Sequence, residues 1–496
     1  MRRLMFIVVA AAFVAFGCSD VVTVGSTSTT TATTTTATPP VKVVVQVVDA
    51  HGHPIPGPDV TIGTTRGDGE ALVKPDGFPV EVGASAAGYL PASMMVMLPP
   101  TGPITLQLAP VVLHGTVTAT SGVPLDDATV SLGSATSSTG PDGSWDLSPA
   151  VPGTVSIARP AWMPVEVQWD GTTDGLDVQL GPRVVKGIHA VSGLPQGDRW
   201  EPFLDIADRT EINSVVFDIK DESGKIRYES QVPLALEVGA VDPGYRLDDV
   251  VAEMHDRGLY VIGRVVSFED PVVASSRPDL AIRVGSKPLR KGSQAFLDPT
   301  DPDARAYDID LAVEACAAGV DEIQFDYVRF PTGLRSGMSL DGDGIYVGAD
   351  GQVDRLEVIS SFLEEARAAL HPLGCALSAD VFAIVLSTRN DQGIGQRPEE
   401  IGAQVDALSP MIYPDHYSDG WIGFDSPADH PLAVVQNALA DGMPRLPTTT
   451  IMRPWIADFN YGAPSVRAEI NAAGDLGWML WNPGSRVTDK ALEPAP

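Results

Sequence analysis

After Arg183 the sequence becomes a regular alternation of short apolar runs and longer helical stretches, and this feature restricts the fold more than any other. Such alternation is typical of strand–helix–strand units around a parallel sheet, and eight units close a barrel of about 250 residues. We therefore predict a (β/α)₈ TIM barrel over residues 184–496. The predicted strands are 185–190, 213–220, 260–268, 322–330, 376–382, 407–414, 447–455 and 478–483.

An internal repeat precedes the predicted barrel. Val60-Thr61-Ile62 recurs as Val130-Ser131-Leu132, and Asp68-Gly69 recurs as Asp142-Gly143. Alternating apolar and polar residues, interrupted by Pro, Gly and Asp-Gly turns, favour antiparallel strands. We predict two small all-β sandwich domains, 41–110 and 111–182. Tryptophans that could form a platform for sugar occur only in the second copy, so a spacer is favoured over a carbohydrate-binding module.

The first 40 residues are typical of an exported lipoprotein. Arg2-Arg3 and an apolar run predict a signal peptide over 1–17, and Ala15-Phe16-Gly17-Cys18 resembles a bacterial lipobox with Cys18 as the lipidation site. An ordinary cleaved signal that ends at a cysteine is the alternative. Residues 18–40 are rich in Thr and Ser and predict a flexible linker. We expect a location in the cell envelope, lipid-anchored at a membrane surface or extracellular.

Charge and cysteine content restrict the partners further. The chain carries 33 Lys and Arg against 64 Asp and Glu, a net charge of −31, which disfavours nucleic acid and is compatible with a polysaccharide. Beyond Cys18 only Cys316 and Cys375 remain. We expect two buried free thiols, with a single mutual bridge as the alternative.

In a TIM barrel the active site lies at the carboxyl ends of the strands. Period-2 alternation places Glu322, Gln324 and Asp326 on one face of the fourth predicted strand, so that Asp326 emerges at the barrel mouth if this face points inward. Asp380 lies near the carboxyl end of the fifth predicted strand in the same way. Two carboxyl groups from neighbouring strands could flank one glycosidic bond, and we predict both as catalytic. The alternative is a structural ion-pair network. Predicted substrate-binding residues at the same end are Asp218, Lys220, Arg264, Tyr413, His416, Trp455 and Trp481.

Several segments together resemble a bacterial family of glycoside hydrolase barrels related to α-amylases. They include 185–189, 216–221, 322–331, 378–382, 409–414 and 478–483, and they cover essentially all of 184–496. The resemblance implies Asp326 as nucleophile and Asp380 as acid/base. Two departures are an Asp instead of Glu at the fifth strand, and Arg453-Pro454-Trp455 where amylases carry another Asp. The two N-terminal copies resemble carboxypeptidase regulatory-like and starch-binding-like modules.

Metal and cofactor motifs are weak. There is no His-x-His after the first strand and no His-Glu-x-x-His, and the spacing of Asp341-Gly342-Asp343-Gly344 fails for an EF-hand. No phosphate-binding or dinucleotide-binding glycine motif occurs, so no metal and no cofactor is predicted. The sequence thus predicts a glycosidase acting on an extracellular or cell-wall polysaccharide. The alternative is a non-catalytic carbohydrate-binding lipoprotein of the cell surface.

Overall fold

A computed structural model describes residues 38–333 and 353–496, together with the backbone of two short strands at 338–339 and 345–346. The predicted signal peptide, Cys18, most of the linker and the Asp341–Gly344 segment lie outside the described residues. The described residues form two compact units: residues 38–86 with 91–108, and residues 87–90 with 109–496. In the described part of the chain, no helix combines the length and the apolar character needed to cross a bilayer.

The first unit consists of two small sheets. One has three strands, with the first strand in the centre, and the other has four. Val43, Val45 and Val47 of the first strand alternate with more exposed residues and are buried, as a half-buried strand requires. The strands are Val41–Val48, Asp59–Ile62, Thr65–Gly67, Glu70–Val73, Val80–Ser85, Ala92–Val96 and Ile104–Gln107.

The second copy repeats this topology strand by strand, as the sequence repeat predicted. In both copies the last strand runs parallel to the first, whereas the other pairings are antiparallel. Trp145, Trp162 and Trp169 are at most 5% exposed and form the core of the copy, so the alternative of a tryptophan platform for sugar is not supported. The strands are Leu113–Ala119, Thr129–Leu132, Ala135–Ser138, Ser144–Leu147, Gly153–Ala158, Val165–Trp169 and Val178–Leu180.

The remainder of the second unit is a closed parallel barrel, which confirms the predicted fold class. Each strand pairs with its neighbours in chain order, and the first strand pairs with the last. The seventh strand has two parts, separated by Arg453 and Pro454, because proline cannot donate a ladder hydrogen bond. The eight strands are Lys186–Ala190, Ser214–Lys220, Tyr260–Val266, Glu322–Asp326, Ala376–Phe382, Ala407–Ile412, Ile451–Met452 with Trp455–Ala457, and Trp478–Trp481.

Helices connect the strands and cover the outside of the barrel. Residues such as Leu311 and Phe362 are fully buried and belong to the same apolar core as Phe217 and Ile323 of the strands. The second strand, Ser214–Lys220, is buried on both faces and has no exposed position, as is typical of a parallel sheet covered by helices. The helices of five or more residues are Trp200–Arg209, Pro233–Glu237, Leu247–Asp256, Pro271–Ser276, Pro302–Ala317, Arg355–Leu370, Pro398–Gly402, Pro431–Gly442 and Ala463–Ala473.

The second sandwich packs against the amino ends of the barrel strands. Ala376, Ala407 and Ile451 at these ends belong to the apolar cluster of the sandwich core. Arg159 of the sandwich, nearly inaccessible to solvent, lies 3.6 Å from the carboxylate of Asp406. The carboxyl ends of the strands, at the opposite end of the barrel, are therefore not covered by this sandwich.

Cys316 and Cys375 form a disulfide bond, so the expectation of two free thiols is wrong and the alternative pairing is correct. Cys316 lies near the end of helix Pro302–Ala317, and Cys375 immediately precedes the fifth barrel strand. The bond links the connections on either side of the fourth strand. It closes a loop of 59 residues that contains Asp326.

Candidate active site

A cavity of about 590 Å³ opens at the carboxyl end of the barrel. Three carboxyl groups and two guanidinium groups line it, together with aromatic side chains from the ends of the barrel strands and from the loops that follow them. Seven of the predicted site residues meet here: Arg264, Asp326, Asp380, Tyr413, His416, Trp455 and Trp481. Asp218 and Lys220 do not line the cavity.

Asp326 is the last residue of the fourth strand and points into the barrel mouth, as the alternation predicted. Its Oδ2 accepts hydrogen bonds from Arg264, at 3.0 Å from Nε and 2.6 Å from Nη2. Its Oδ1 accepts the backbone N–H of Tyr327 at 2.6 Å. The carboxylate is thus held by a charged partner and by the turn that follows the strand, both of which favour a fixed orientation.

Asp380 lies on the fifth strand and is almost completely buried. Its Oδ1 accepts a hydrogen bond from the indole Nε1 of Trp455 at 2.8 Å. Burial raises the pKa of Asp380 well above its ordinary value, and the neighbouring charge of Asp326 raises it further. The Asp380 carboxyl therefore retains its proton at a pH where a surface aspartate has lost it.

The two carboxyl groups come from directly paired strands. Phe325 pairs with Ala379 in the parallel ladder, so Asp326 and Asp380 occupy the next position along each strand and share one face. Tyr413, from the end of the sixth strand, faces both of them. Burial and then the charges of Asp380 and Asp326 raise the pKa of the Tyr413 phenol well above its usual range.

Arg264, from the third strand, joins the carboxylates of the site into one network. Besides Asp326 it donates to Asp218 from Nη1 at 2.8 Å and to Glu222 from Nη2. Burial opposes the charge of Arg264, but its three carboxylate partners hold its pKa well above the ordinary value. Since Arg264 is committed to three partners, its place in the site is that of a positioning residue for the carboxylates.

Asp218 lies beneath the cavity floor. Its Oδ1 is 3.0 Å from Nε2 of His189 and accepts the hydrogen bond from Arg264. Burial raises the pKa of Asp218, but the charges of His189 and Arg264 together outweigh burial and leave the pKa below its ordinary value. His189 is anchored on its other side by the carbonyl of Asn482, 3.1 Å from Nδ1. Asp218 therefore does not touch a substrate in the cavity, and supports Arg264 instead.

The prediction that Lys220 binds substrate is wrong. A bulge between Asp218 and Lys220 shifts the register with the third strand, so that Lys220 is opposite Val265 and lies on the outer face of the sheet. There its Nζ donates to Asp308 at 2.7 Å and to Asp270 at 3.1 Å, with no exposed surface. Lys220 thus ties the barrel wall to helix Pro302–Ala317.

Three aromatic predictions have different outcomes. Trp455 lines the cavity but is only 1% exposed, and its N–H binds Asp380, so it orients a carboxyl group and offers no open ring face for sugar. Trp481 is partly exposed, but His189 stacks on it at 4.0 Å and the Arg264 guanidinium lies 4.7 Å from its centroid. His416 projects at the rim with its side chain 64% exposed, in edge contact with the buried Tyr413.

Ten residues that line the cavity were not among the predicted site residues, and four of them add charge or aromatic surface that bears on ligand binding. Glu222 and Arg329 add a carboxylate and a guanidinium, and Tyr327 and Trp421 add aromatic surface. Tyr327 has a positive φ of 52°, an unusual conformation for a residue with a side chain and one that occurs at functional sites. Two signals in the sequence point to three of these four residues. Tyr327 and Arg329 follow shortly after the strand that carries the predicted catalytic Asp326, and Trp421 is one of the tryptophans that could stack on a sugar ring.

The structure explains how the site differs from the amylase pattern at the seventh strand. Arg453, in place of the expected acid, is fully buried and donates to Glu322 at 2.6 Å inside the barrel. The indole of Trp455, two residues later, fills the position next to Asp380. Within 38–333 and 353–496, no group of three or more His, Cys, Asp and Glu side chains is arranged to hold a metal ion.

A comparison with protein families places a glycosyl hydrolase domain over the barrel. Residues 188–487 match the family described as "Putative glycosyl hydrolase domain", whereas no curated protein matches. A hypothetical protein from Ruminiclostridium thermocellum is 40% identical, over 39% of this chain and 97% of that chain, with a TM-score of 0.35. An α-amylase from Lactobacillus plantarum is 15% identical, over 61% and 71% of the two chains, with a TM-score of 0.40.

An α-galactosidase from Thermus thermophilus is 14% identical, over 86% of this chain and 88% of that chain, with a TM-score of 0.40. The activities named for these structures are those of the proteins themselves. The family match, by contrast, spans more than half of the sequence and includes every carboxyl group of the cavity. The chain belongs to this family of glycosyl hydrolase domains.

Proposed function

We propose that this protein hydrolyses glycosidic bonds of a polysaccharide outside the cytoplasm, with Asp380 as proton donor and Asp326 as nucleophile. One observation carries the proposal: two carboxyl groups from paired strands line one open cavity in different environments. Asp326 is ion-paired to Arg264, whereas Asp380 is buried against an indole with a raised pKa. Glycosidases need such a division between an ionised and a protonated carboxyl group.

In the first step the glycosidic oxygen takes the proton of Asp380 as its bond to the anomeric carbon breaks. An oxygen of Asp326 forms the new bond to that carbon, which gives a glycosyl ester and frees the leaving group as an alcohol. In the second step Asp380, now ionised, removes a proton from water. The resulting hydroxide cleaves the glycosyl–Asp326 bond and releases the sugar.

The register of the two strands favours retention of configuration. Neighbouring strands lie about 4.8 Å apart, and Asp326 and Asp380 follow the paired residues Phe325 and Ala379 on the same face. A backbone spacing of this size suits the roughly 5–5.5 Å between the carboxyl groups of retaining enzymes better than the roughly 6.5–9.5 Å of inverting enzymes. We propose that the product initially has the anomeric configuration of the substrate, which NMR of the fresh hydrolysate measures.

We also propose that the enzyme is anchored through a diacylated Cys18 at a membrane surface. The lipobox-like sequence before Cys18 supports the anchor, and the Cys316–Cys375 disulfide supports an oxidising compartment. Metabolic labelling with a radioactive fatty acid tests the anchor. Label in the wild type and none in Cys18→Ala is expected, whereas an unlabelled wild type would mean that the signal peptide is of the ordinary cleaved kind.

The hydrolase proposal is tested with the mature chain, purified in detergent and screened against neutral and acidic polysaccharides for new reducing ends. Asp326→Asn and Asp380→Asn are expected to lower the rate at least about a thousandfold, since each removes a group that takes part in bond breaking. Asp248→Asn is the matched control, because Asp248 is an exposed residue in the first turn of a helix, where it pairs with Arg246, accepts the backbone N–H of Asp249 and does not line the cavity. Binding without cleavage, unchanged in both site variants, would instead identify a carbohydrate receptor.

A further inference from the structure

Arg329 is a buried cation in the wall of the candidate active-site cavity. It lies three residues after Asp326, lines the cavity and is 9% exposed. Its guanidinium carbon lies 4.9 Å from the ring centroid of Tyr327 and 4.7 Å from that of Phe382. Both aromatic residues also line the cavity, so they hold the guanidinium within the wall.

Most N–H donors of the Arg329 guanidinium have no acceptor among the described residues. Nη1 donates one long hydrogen bond, 3.3 Å, to the carbonyl of Phe330. Among the residues that the structure describes, none accepts a hydrogen bond from its Nε or Nη2, and no carboxylate lies within ion-pair distance. The contrast with Arg264 in the same cavity is clear, since three carboxylates bind that guanidinium. A buried charge without a counterion is costly, so a functional partner is expected.

The charges of Asp326 and Glu269 act on Arg329, but in the described structure neither carboxyl group lies within ion-pair distance of the guanidinium, and burial lowers the pKa of Arg329 despite them. The side-chain amide of Gln294 donates a hydrogen bond to Glu269 at 2.7 Å. Burial raises the pKa of Glu269 above its ordinary value, which favours the neutral carboxyl group. A second cation, Lys291, donates to Thr332, three residues beyond Arg329. Burial and the charge of Arg329 lower the pKa of Lys291, which agrees with two cations close together in the described structure.

We propose that Arg329 recognises a singly charged anionic group, a carboxylate or a sulfate ester, on a sugar bound in this cavity. The planar fork of N–H donors matches the oxygens of such groups. A doubly charged group such as a phosphate monoester fits less well, because Asp326 and Glu222 carry negative charge into the same cavity. This inference deepens the proposed function and rests on it for the place of the sugar, but binding alone can test it.

The test measures dissociation constants by calorimetry, with the full mature chain in detergent carrying Asp380→Asn so that ligands are not consumed. The ligands are oligosaccharides of a polyuronate and their carboxyl-reduced counterparts, and oligosaccharides of a sulfated polysaccharide and their desulfated counterparts. At least one anionic ligand is expected to bind about tenfold or more tightly than its neutral counterpart. Adding Arg329→Gln is expected to abolish this preference, and Arg329→Lys to keep part of it, because Lys retains the charge without the fork.

The polyuronate pair and the sulfated pair of ligands distinguish the two groups: a preference within the first indicates a carboxylate, and within the second a sulfate ester. Thermal unfolding shows whether each variant is folded, and Arg329→Lys serves as the second variant if Arg329→Gln does not fold. Equal binding of charged and neutral ligands by the Asp380→Asn protein would overturn the inference. An equal loss of affinity for the charged and the neutral ligand on adding Arg329→Gln would also overturn it. If anionic ligands bind with the expected preference but the wild type cleaves none of them, the hydrolase proposal fails while this inference stands.

Discussion

Replacing Trp455 by Phe tests how the site controls its proton donor. The change removes one hydrogen bond, the 2.8 Å contact from Nε1 to Oδ1 of Asp380, and this bond favours the ionised carboxylate. A hydrogen bond to a charged group contributes about 1.5–3 kcal/mol, and about 1.4 kcal/mol corresponds to one pKa unit. Trp455→Phe is therefore expected to raise the pKa of Asp380 by about one to two units beyond its already high value.

The pH dependence of kcat/KM reports this pKa. If Asp380 is the acid of the proposed mechanism, activity falls as pH rises through its pKa, and in Trp455→Phe this alkaline limb should move upward by about one to two pH units. The maximal rate should fall, since the carboxylate formed on proton transfer has lost its donor. An alkaline limb that stays in place or moves downward would refute the assignment.

Trp478→Phe is the matched control for the lost volume. Trp478 is equally buried, at 1% exposure, but it begins the eighth strand at the opposite end of the barrel and does not line the cavity. Truncating either ring should lower the free energy of unfolding by a similar amount, on the order of 1–3 kcal/mol. Only Trp455→Phe should move the pH profile.

Three further predictions concern stability, each measured by chemical denaturation. Burial raises the pKa of Glu469 to about 8, so the folded state binds the extra proton, and Glu469 should contribute a fall in stability of up to about 1.4 kcal/mol per pH unit as pH rises from about 4.5 through 8. Glu469→Gln should make the pH dependence of stability shallower by this amount, and an unchanged slope would contradict the prediction. Replacing Cys316 and Cys375 by Ser opens a loop of 59 residues and should cost about 4 kcal/mol, and a loss below about 1 kcal/mol would show that the bond does not constrain the unfolded chain. Lys220→Met leaves the buried Asp308 without its cation and should cost about 3–5 kcal/mol, whereas a neutral effect would show that the pair is dispensable.

Most of the correct predictions of structure rest on the periodicity of the strands. The barrel and its strand order follow from the repeated strand–helix pattern. Period-2 alternation placed Glu322, Gln324 and Asp326 on the inner face, where Arg453 binds the first and Ser409 the second. These predictions succeed because they depend on local geometry that the barrel preserves along the fourth strand.

The errors arise where local geometry departs from that regularity. The bulge after Asp218 turns Lys220 to the outer face, and one-residue irregularities of this kind leave no pattern in a single sequence. The positive φ of Tyr327 likewise ends the alternation one residue after Asp326, so the placement of Arg329 in the cavity could not be read from periodicity.

Other errors depend on tertiary contacts. Whether a tryptophan is a platform or part of the core is decided by neighbours distant in sequence, as for Trp455 against Asp380. The pairing of Cys316 with Cys375 requires the end of helix Pro302–Ala317 to lie beside the start of the fifth barrel strand. Sequence spacing does not reveal this contact.

The central claim is that Asp326 attacks the sugar and Asp380 delivers the proton, and azide rescue tests this division most directly. On an activated aryl glycoside that the wild type cleaves, Asp326→Ala and Asp380→Ala are assayed with added sodium azide, and the anomeric configuration of any glycosyl azide is read by NMR. The account predicts an azide of inverted configuration from Asp326→Ala, and one of retained configuration from Asp380→Ala because Asp326 still forms the covalent intermediate. The opposite assignment of configurations, or wild-type rates in either variant without azide, would contradict it.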